Sequence, residues 1–176
     1  MWHSKNIVIH ENNAKITDFG ISKSQNNQIS SVYIGNFGSI AYMEPKRILD
    51  PKFPYTKSSD IYSFGVLMWE ISSGYPPFKD CVNNNDKFAL ALAINNGTRE
   101  ITIPDTPKEY EELYKNCWNQ DHKRRPTISE ILGEFAKMGF GINVKNELTE
   151  AGSMGIDCMY LLFVFFLFCI LIICMY

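Results

Sequence analysis

Hydrophobic and polar positions change their spacing several times along the chain, and each spacing predicts an element. Ile7 to Ile9 and Ala14 to Thr17 are short strand-like runs separated by Glu11-Asn12-Asn13, a turn-forming cluster, which predicts a β-hairpin. From Gly20 to Pro45 the chain is rich in Ser, Asn, Gln and Gly without any period, the signature of a long loop that is either functional or disordered. Ser58 and Ser59 offer a helix cap. After them Ile61, Phe64, Val66, Leu67, Met68 and Ile71 distribute apolar side chains around a whole helical circumference, which predicts a buried helix. Gly74 is its stop signal, and Pro76-Pro77 prevents continuation. Beyond the loop at Asn83 to Asn85, Phe88 to Ile94 reads as helix. Tyr110, Leu113, Tyr114, Cys117 and Trp118 recur at the spacing of one helical face, and Thr127-Ile128-Ser129-Glu130 is a capping box ahead of Ile131, Leu132 and Phe135. The expected fold is mainly α with a small β-hairpin, without internal repeats.

The final stretch follows a different rule. Cys158 to Tyr176 is 19 consecutive apolar residues with no charge. At about 1.5 Å per residue a helix of this length reaches about 28 Å, against a hydrocarbon core of about 30 Å. An apolar C-terminal helix is therefore expected over 158–176. It is read as a membrane anchor on a cytoplasmic body, or else as the product of a misjoined exon or retained intron. The flank from Lys145 to Asp157 carries one basic and three acidic residues, so charge asymmetry does not favour that orientation.

Without that tail the apolar share falls from 45% to about 38%, an ordinary polar soluble domain. Seventeen basic residues against 19 acidic ones, with no basic block, leave no electrostatic footprint for nucleic acid. Cys158, Cys169 and Cys174 fall in the tail, and Cys81 and Cys117 stand far apart in the body without metal-ligand spacing, which fits a reducing compartment. The start, Met1 to Asn6, has neither the basic nor the apolar region of a signal peptide.

Candidate chemistry gathers at the open end of the hairpin. Asn6 and Asp18 flank the paired segments, and an antiparallel hairpin brings its open ends side by side, so two side-chain oxygens can share one hard cation. Magnesium is the natural choice.

These residues carry a family resemblance. Asn6 precedes the first strand and Asp18-Phe19-Gly20 follows the second. Gly38-Ser39-Ile40-Ala41-Tyr42-Met43-Glu44-Pro45 closes the long loop, and Ser59-Asp60-Ile61-Tyr62-Ser63-Phe64-Gly65 opens the buried helix. Cys117-Trp118 and Arg124-Arg125-Pro126-Thr127 come after them in order. In this order the pieces resemble the carboxy-terminal lobe of protein kinases, over about residues 1–138, with 139–157 as linker and 158–176 as candidate anchor. The resemblance implies that the intact parent transfers the γ-phosphoryl of ATP to protein hydroxyls. It makes Asn6 and Asp18 the magnesium ligands and Val8 part of the floor beneath adenine. It makes Asp60 a holder of the catalytic-loop backbone, and Arg125 the partner of the glutamate that the family carries directly after the proline matching Pro45. Ser22, Ser24, Ser30, Ser31 and Tyr33 fall in the activation segment, where a phosphate can order the chain. Ser39 takes the place of the small hydroxyl residue beside the acceptor. Together with His3-Ser4-Lys5 it resembles the serine/threonine-specific, tyrosine-kinase-like branch.

Two departures stand out. The family pattern His-Arg-Asp-Leu-x-x-x-Asn places its base aspartate at Met1, whose thioether accepts no proton, so no catalytic base is expected among these residues. The Gly-rich amino lobe is missing as well, so the 176 residues alone are expected to be inactive. A non-catalytic kinase-like module that docks protein partners is the competing expectation. The second departure is Glu44-Pro45-Lys46, where the family usually has Ala-Pro-Glu. Lys46 is expected to repel Arg125, and whether Glu44 replaces the missing glutamate is open at this level.

Overall fold

The computed structural model describes residues 3–10, 13–16, 40–83 and 87–139. Met1, Asp18, Ser22, Ser24, Ser30, Ser31, Tyr33, Ser39 and the apolar segment 158–176 lie outside the described residues. Backbone contacts divide the chain into two units, one of Met1–Ser4 with Gly20–Pro126 and one of Lys5–Phe19 with Thr127–Tyr176.

In the first unit five helices follow one another: α1 (Pro45–Leu49), α2 (Lys57–Ser73), α3 (Lys79–Asn83), α4 (Lys87–Asn95) and α5 (Lys108–Cys117). Helix α2 is the axis, and its residues 61–69 are all buried, as an apolar circumference demands. It begins earlier than the serines suggested, with its cap two residues ahead of Ser58. Thr56 is the cap, and its N–H donates to Ser59 Oγ at 3.1 Å, so Ser59 serves as the third residue of a capping box. Its other end stops at Gly74, whose φ of 71° is left-handed and whose N–H closes on the Glu70 carbonyl at 3.0 Å.

Helices α2 and α5 form the principal contact, and α1 packs on α4. The α5 stripe of Tyr110, Leu113, Tyr114 and Cys117 is buried, and Trp118 just beyond is 5% exposed. Gly65 permits the approach. A methyl group at that position would lie 2.7 Å from Cys117 Cβ and 2.8 Å from the Trp118 nitrogen, distances that atoms do not share. Two polar groups drawn into this layer are paired, Tyr110 Oη donating to the Met68 carbonyl at 2.9 Å and Trp69 Nε1 to the Ile101 carbonyl at 2.9 Å, whereas Tyr62 Oη is buried there without a hydrogen-bond partner among the described residues.

In the second unit β1 (Ile7–His10) pairs antiparallel with β2 (Asn13–Ile16), from Ile7 opposite Ile16 to His10 opposite Asn13. Asn13 is thus a strand residue rather than part of the turn. Helix α6 (Ile128–Lys137) starts on the expected capping box: Glu130 N–H donates to Thr127 Oγ1 at 3.3 Å, and Thr127 N–H to Glu130 Oε2 at 2.6 Å. Ile131, Leu132 and Phe135 are its buried face. The mainly helical reading with one hairpin holds. Among the described residues no helix is long and apolar enough to cross a membrane.

Two glycine substitutions separate close packing from helix propensity. Gly65→Ala is expected to lower stability by about 1–3 kcal/mol through the forced separation of α2 and α5. Gly133→Ala, exposed on α6 with nothing within 4 Å, is expected to raise it by about 0.5–1 kcal/mol. Urea unfolding of the two variants measures both signs.

Candidate functional site

Ser4–Asn6 is a 3₁₀ turn that leads into β1, and Asn6, at its end, is 8% exposed. A buried carboxamide at the open end of the hairpin presents an oxygen of the hard type that magnesium takes. Its expected companion, Asp18, lies outside the described residues. Among the described residues no group of three or more His, Cys, Asp or Glu side chains gathers as a metal cluster. Val8, in β1, is 47% exposed, so the core does not use up its apolar surface.

Glu70, one turn from the end of α2, ties together parts of the chain that are far apart in sequence. Ser4 Oγ donates to Glu70 Oε1 at 3.0 Å and Tyr42 Oη to Oε2 at 2.6 Å. Burial, and next the Glu70 charge, push the Tyr42 phenol far above its usual range, so Tyr42 keeps its proton as the donor. The His3 ring lies 6.1 Å from that of Tyr42. Ser63 Oγ donates to the Tyr42 carbonyl at 2.6 Å, which fixes the backbone of the same residue.

A second tie lies at Arg125, directly after the 3₁₀ turn His122–Arg124. Its Nε donates to the Asn119 carbonyl at 2.8 Å and Nη1 to the Ser58 carbonyl at 2.9 Å. Its terminal nitrogens grip Glu44 in a fork, Nη2 to Oε1 at 3.1 Å and Nη1 to Oε2, with both side chains fully buried. The guanidinium also stacks 5.0 Å from the Tyr62 ring, as does that of Arg99. Burial pushes the Tyr62 phenol up to about 12 against the opposing pull of the two arginines.

Glu44 therefore does replace the glutamate that the sequence lacks two residues later. It stands before α1, at the non-helical N-cap position, whereas Lys46 is inside the first turn and exposed. The expected repulsion of Arg125 by Lys46 gives way to other contacts: the ammonium lies 5.4 Å over the Phe53 ring and 3.5 Å from His122 Nδ1.

A family model described as protein tyrosine and serine/threonine kinase matches residues 3–135. The chain belongs to the protein kinase family. It is 31% identical over 143 residues to a probable LIM domain-containing serine/threonine-protein kinase of Dictyostelium discoideum, covering 81% of this chain and 21% of that protein. It is 33% identical over 131 residues to a putative serine/threonine-protein kinase/receptor of Acanthamoeba polyphaga mimivirus, covering 74% and 8%. Mitogen-activated protein kinase kinase kinase 13-A of Xenopus laevis is 32% identical over 127 residues, covering 72% and 12%. The chain thus spans about a fifth or less of the length of these kinases, and part of a kinase domain.

Of the expected positions in this kinase fragment, Asp60 lies in the first turn of α2 and accepts a hydrogen bond from Tyr55 Oη. Arg125 is buried, and its partner is Glu44. Sequence reasoning missed Glu70 and Tyr42. The signal was present, since Glu70 is a carboxylate in an otherwise apolar helical stretch, and such a group needs donors.

Glu70→Ala removes the acceptor shared by the Tyr42 and Ser4 hydroxyls and is expected to cost about 1–3 kcal/mol. Glu70→Gln keeps an acceptor oxygen and is expected to lose about half as much or less. Urea unfolding distinguishes the two.

Proposed function

We propose that this chain is part of the catalytic domain of a protein serine/threonine kinase whose intact form transfers the γ-phosphoryl of ATP to hydroxyls of protein substrates. The observation that carries the reading is the family match over residues 3–135, which contains Asn6 and Asp18-Phe19-Gly20 in order. Asn6 and Asp18 hold magnesium, which when bound neutralises charge on the phosphate oxygens. Val8 offers apolar surface to the adenine. Phosphoryl transfer depends on positioning, and two ties serve it: Glu70 holds Ser4 and Tyr42 to α2, and Arg125 holds Glu44. Ser30, Ser31 and Tyr33 belong to the activation segment, Ser39 sits beside the acceptor hydroxyl, and Asp60 supports the catalytic loop.

The test uses the protein that carries this chain, with labelled ATP, magnesium and a mixed protein substrate. The wild type is expected to label serine and threonine, and Asp18→Asn to lower the rate by about 10³-fold. Equal rates in the two forms, or label on tyrosine alone, would overturn the assignment. Absence of both transfer and thermal stabilisation by magnesium-ATP would put a partner-docking module without catalysis in its place.

The 19 apolar residues of 158–176 support a further part of this reading, a membrane anchor for a cytoplasmic body. The protein is expected in the membrane pellet after alkaline carbonate washing, and in the supernatant once 158–176 is deleted. Recovery of the undeleted protein in the supernatant would dismiss the anchor.

A further inference from the structure

Glu44 satisfies Arg125, and Lys46 is thereby left for another task. It lines an open groove of about 590 Å³ together with Asn119, Asp121, His122, Lys123 and Arg124. Of the ionic groups there, Lys46, Lys123 and Arg124 are cationic and Asp121 alone is anionic. Asp121 is engaged on its own segment: its Oδ1 accepts the Lys123 N–H at 3.0 Å and lies 4.0 Å from His122 Nδ1, and Oδ2 lies 3.8 Å from Arg124 Nε. The Lys46 ammonium has an aromatic ring and an imidazole as its nearest partners, with the Asp121 carboxylate acting on it from across the groove. Arg124 is 78% exposed, and Lys123 is exposed as well.

The walls are set in advance. Phe53 carries Lys46 over its face and meets the His122 ring edge-on at 5.6 Å, so one side chain orients both nitrogen groups. The backbone of the opposite wall is pinned by Ser58 Oγ donating to the His122 carbonyl at 2.6 Å and by Arg125 Nε donating to the Asn119 carbonyl at 2.8 Å. Lys46 Nζ and His122 Nδ1, 3.5 Å apart, are close enough for two oxygens of one tetrahedral anion to meet both, with the imidazole in the tautomer that carries its proton on Nδ1. Little ordering remains to be done when an anion arrives.

We propose that this groove binds a phosphorylated protein segment, with the phosphoryl oxygens on Lys46 and His122 and the flanking chain along Lys123 and Arg124. A compact dianion fits the surplus of positive charge and the close pair of nitrogens better than a single carboxylate does. The site is independent of Asn6 and Asp18, and its test does not depend on catalysis.

Fluorescence anisotropy of the full chain decides it, with a short Ala/Gly peptide carrying one phosphoserine as probe. The counterparts are the same peptide with serine or glutamate, inorganic phosphate as competitor, and phosphatidylserine vesicles. Saturable binding of the phosphoserine peptide, at least about tenfold tighter than either counterpart peptide, is expected. Phosphate should compete. Lys46→Glu combined with Arg124→Glu should weaken binding by about tenfold or more, whereas Lys108→Glu, exposed on α5 away from the groove, should leave it unchanged. Lys123→Glu alone provides a second, milder variant. Equal binding of the serine or glutamate peptide, absence of saturation, insensitivity to the groove variants, or capture by the vesicles in preference to the peptide would each overturn the proposal.

Discussion

The buried fork between Glu44 and Arg125 holds three stretches of chain that share no sequence neighbourhood. Taking two charges out of water costs several kcal/mol per ion, and only close geometry with every remaining donor paired repays it. Here Arg125 spends its nitrogens on both Glu44 oxygens and on the Ser58 and Asn119 carbonyls, so the entry to α1, the first turn of α2 and the 119–125 segment meet at one guanidinium. Removal of either partner would leave the other as an uncompensated charge.

The remaining packing is arranged around that point. Tyr62, the second residue of the buried run in α2, has the guanidiniums of both Arg125 and Arg99 5.0 Å from its ring. Arg99 in turn donates to the Trp118 carbonyl at 3.1 Å and to Gln120 Oε1 at 2.7 Å, so the same cationic layer closes the end of α5. Gly65 lets α5 approach closely enough for this closure. Glu70 provides a second anchor at the far end of α2, where it faces Ser4 and Tyr42. A family that catalyses through positioning needs its segments tied to something rigid, and α2 is that element.

Much of this was legible from residue spacing. The α5 stripe, the Thr127 capping box, the Gly74 stop and a hairpin of strands near Ile7–Ile9 and Ala14–Thr17 follow from period and turn chemistry alone, whereas its register, with Asn13 paired to His10, does not. Local pattern could not choose between Glu44 and Lys46 beside Arg125, because the choice depends on how the chain turns at Pro45, where one residue is outside a helix and the other inside it. Thr56 went unnoticed as a cap because two serines beside it are equally good candidates. The groove at Lys46 was invisible for a different reason: residue 46 and residues 119–124 meet only through tertiary folding. Asp18, the activation-segment hydroxyls and the apolar tail rest on the sequence reading alone, since they lie outside the described residues.

A double-mutant cycle tests the central claim most directly. Unfolding free energies of Glu44→Ala, Arg125→Ala and the double variant are compared, alongside a parallel cycle with Lys46→Ala in place of Glu44→Ala. A coupling of about 2–3 kcal/mol between Glu44 and Arg125, with about zero between Lys46 and Arg125, is the predicted result. Coupling of Arg125 to Lys46 that equals or exceeds its coupling to Glu44 would contradict the account.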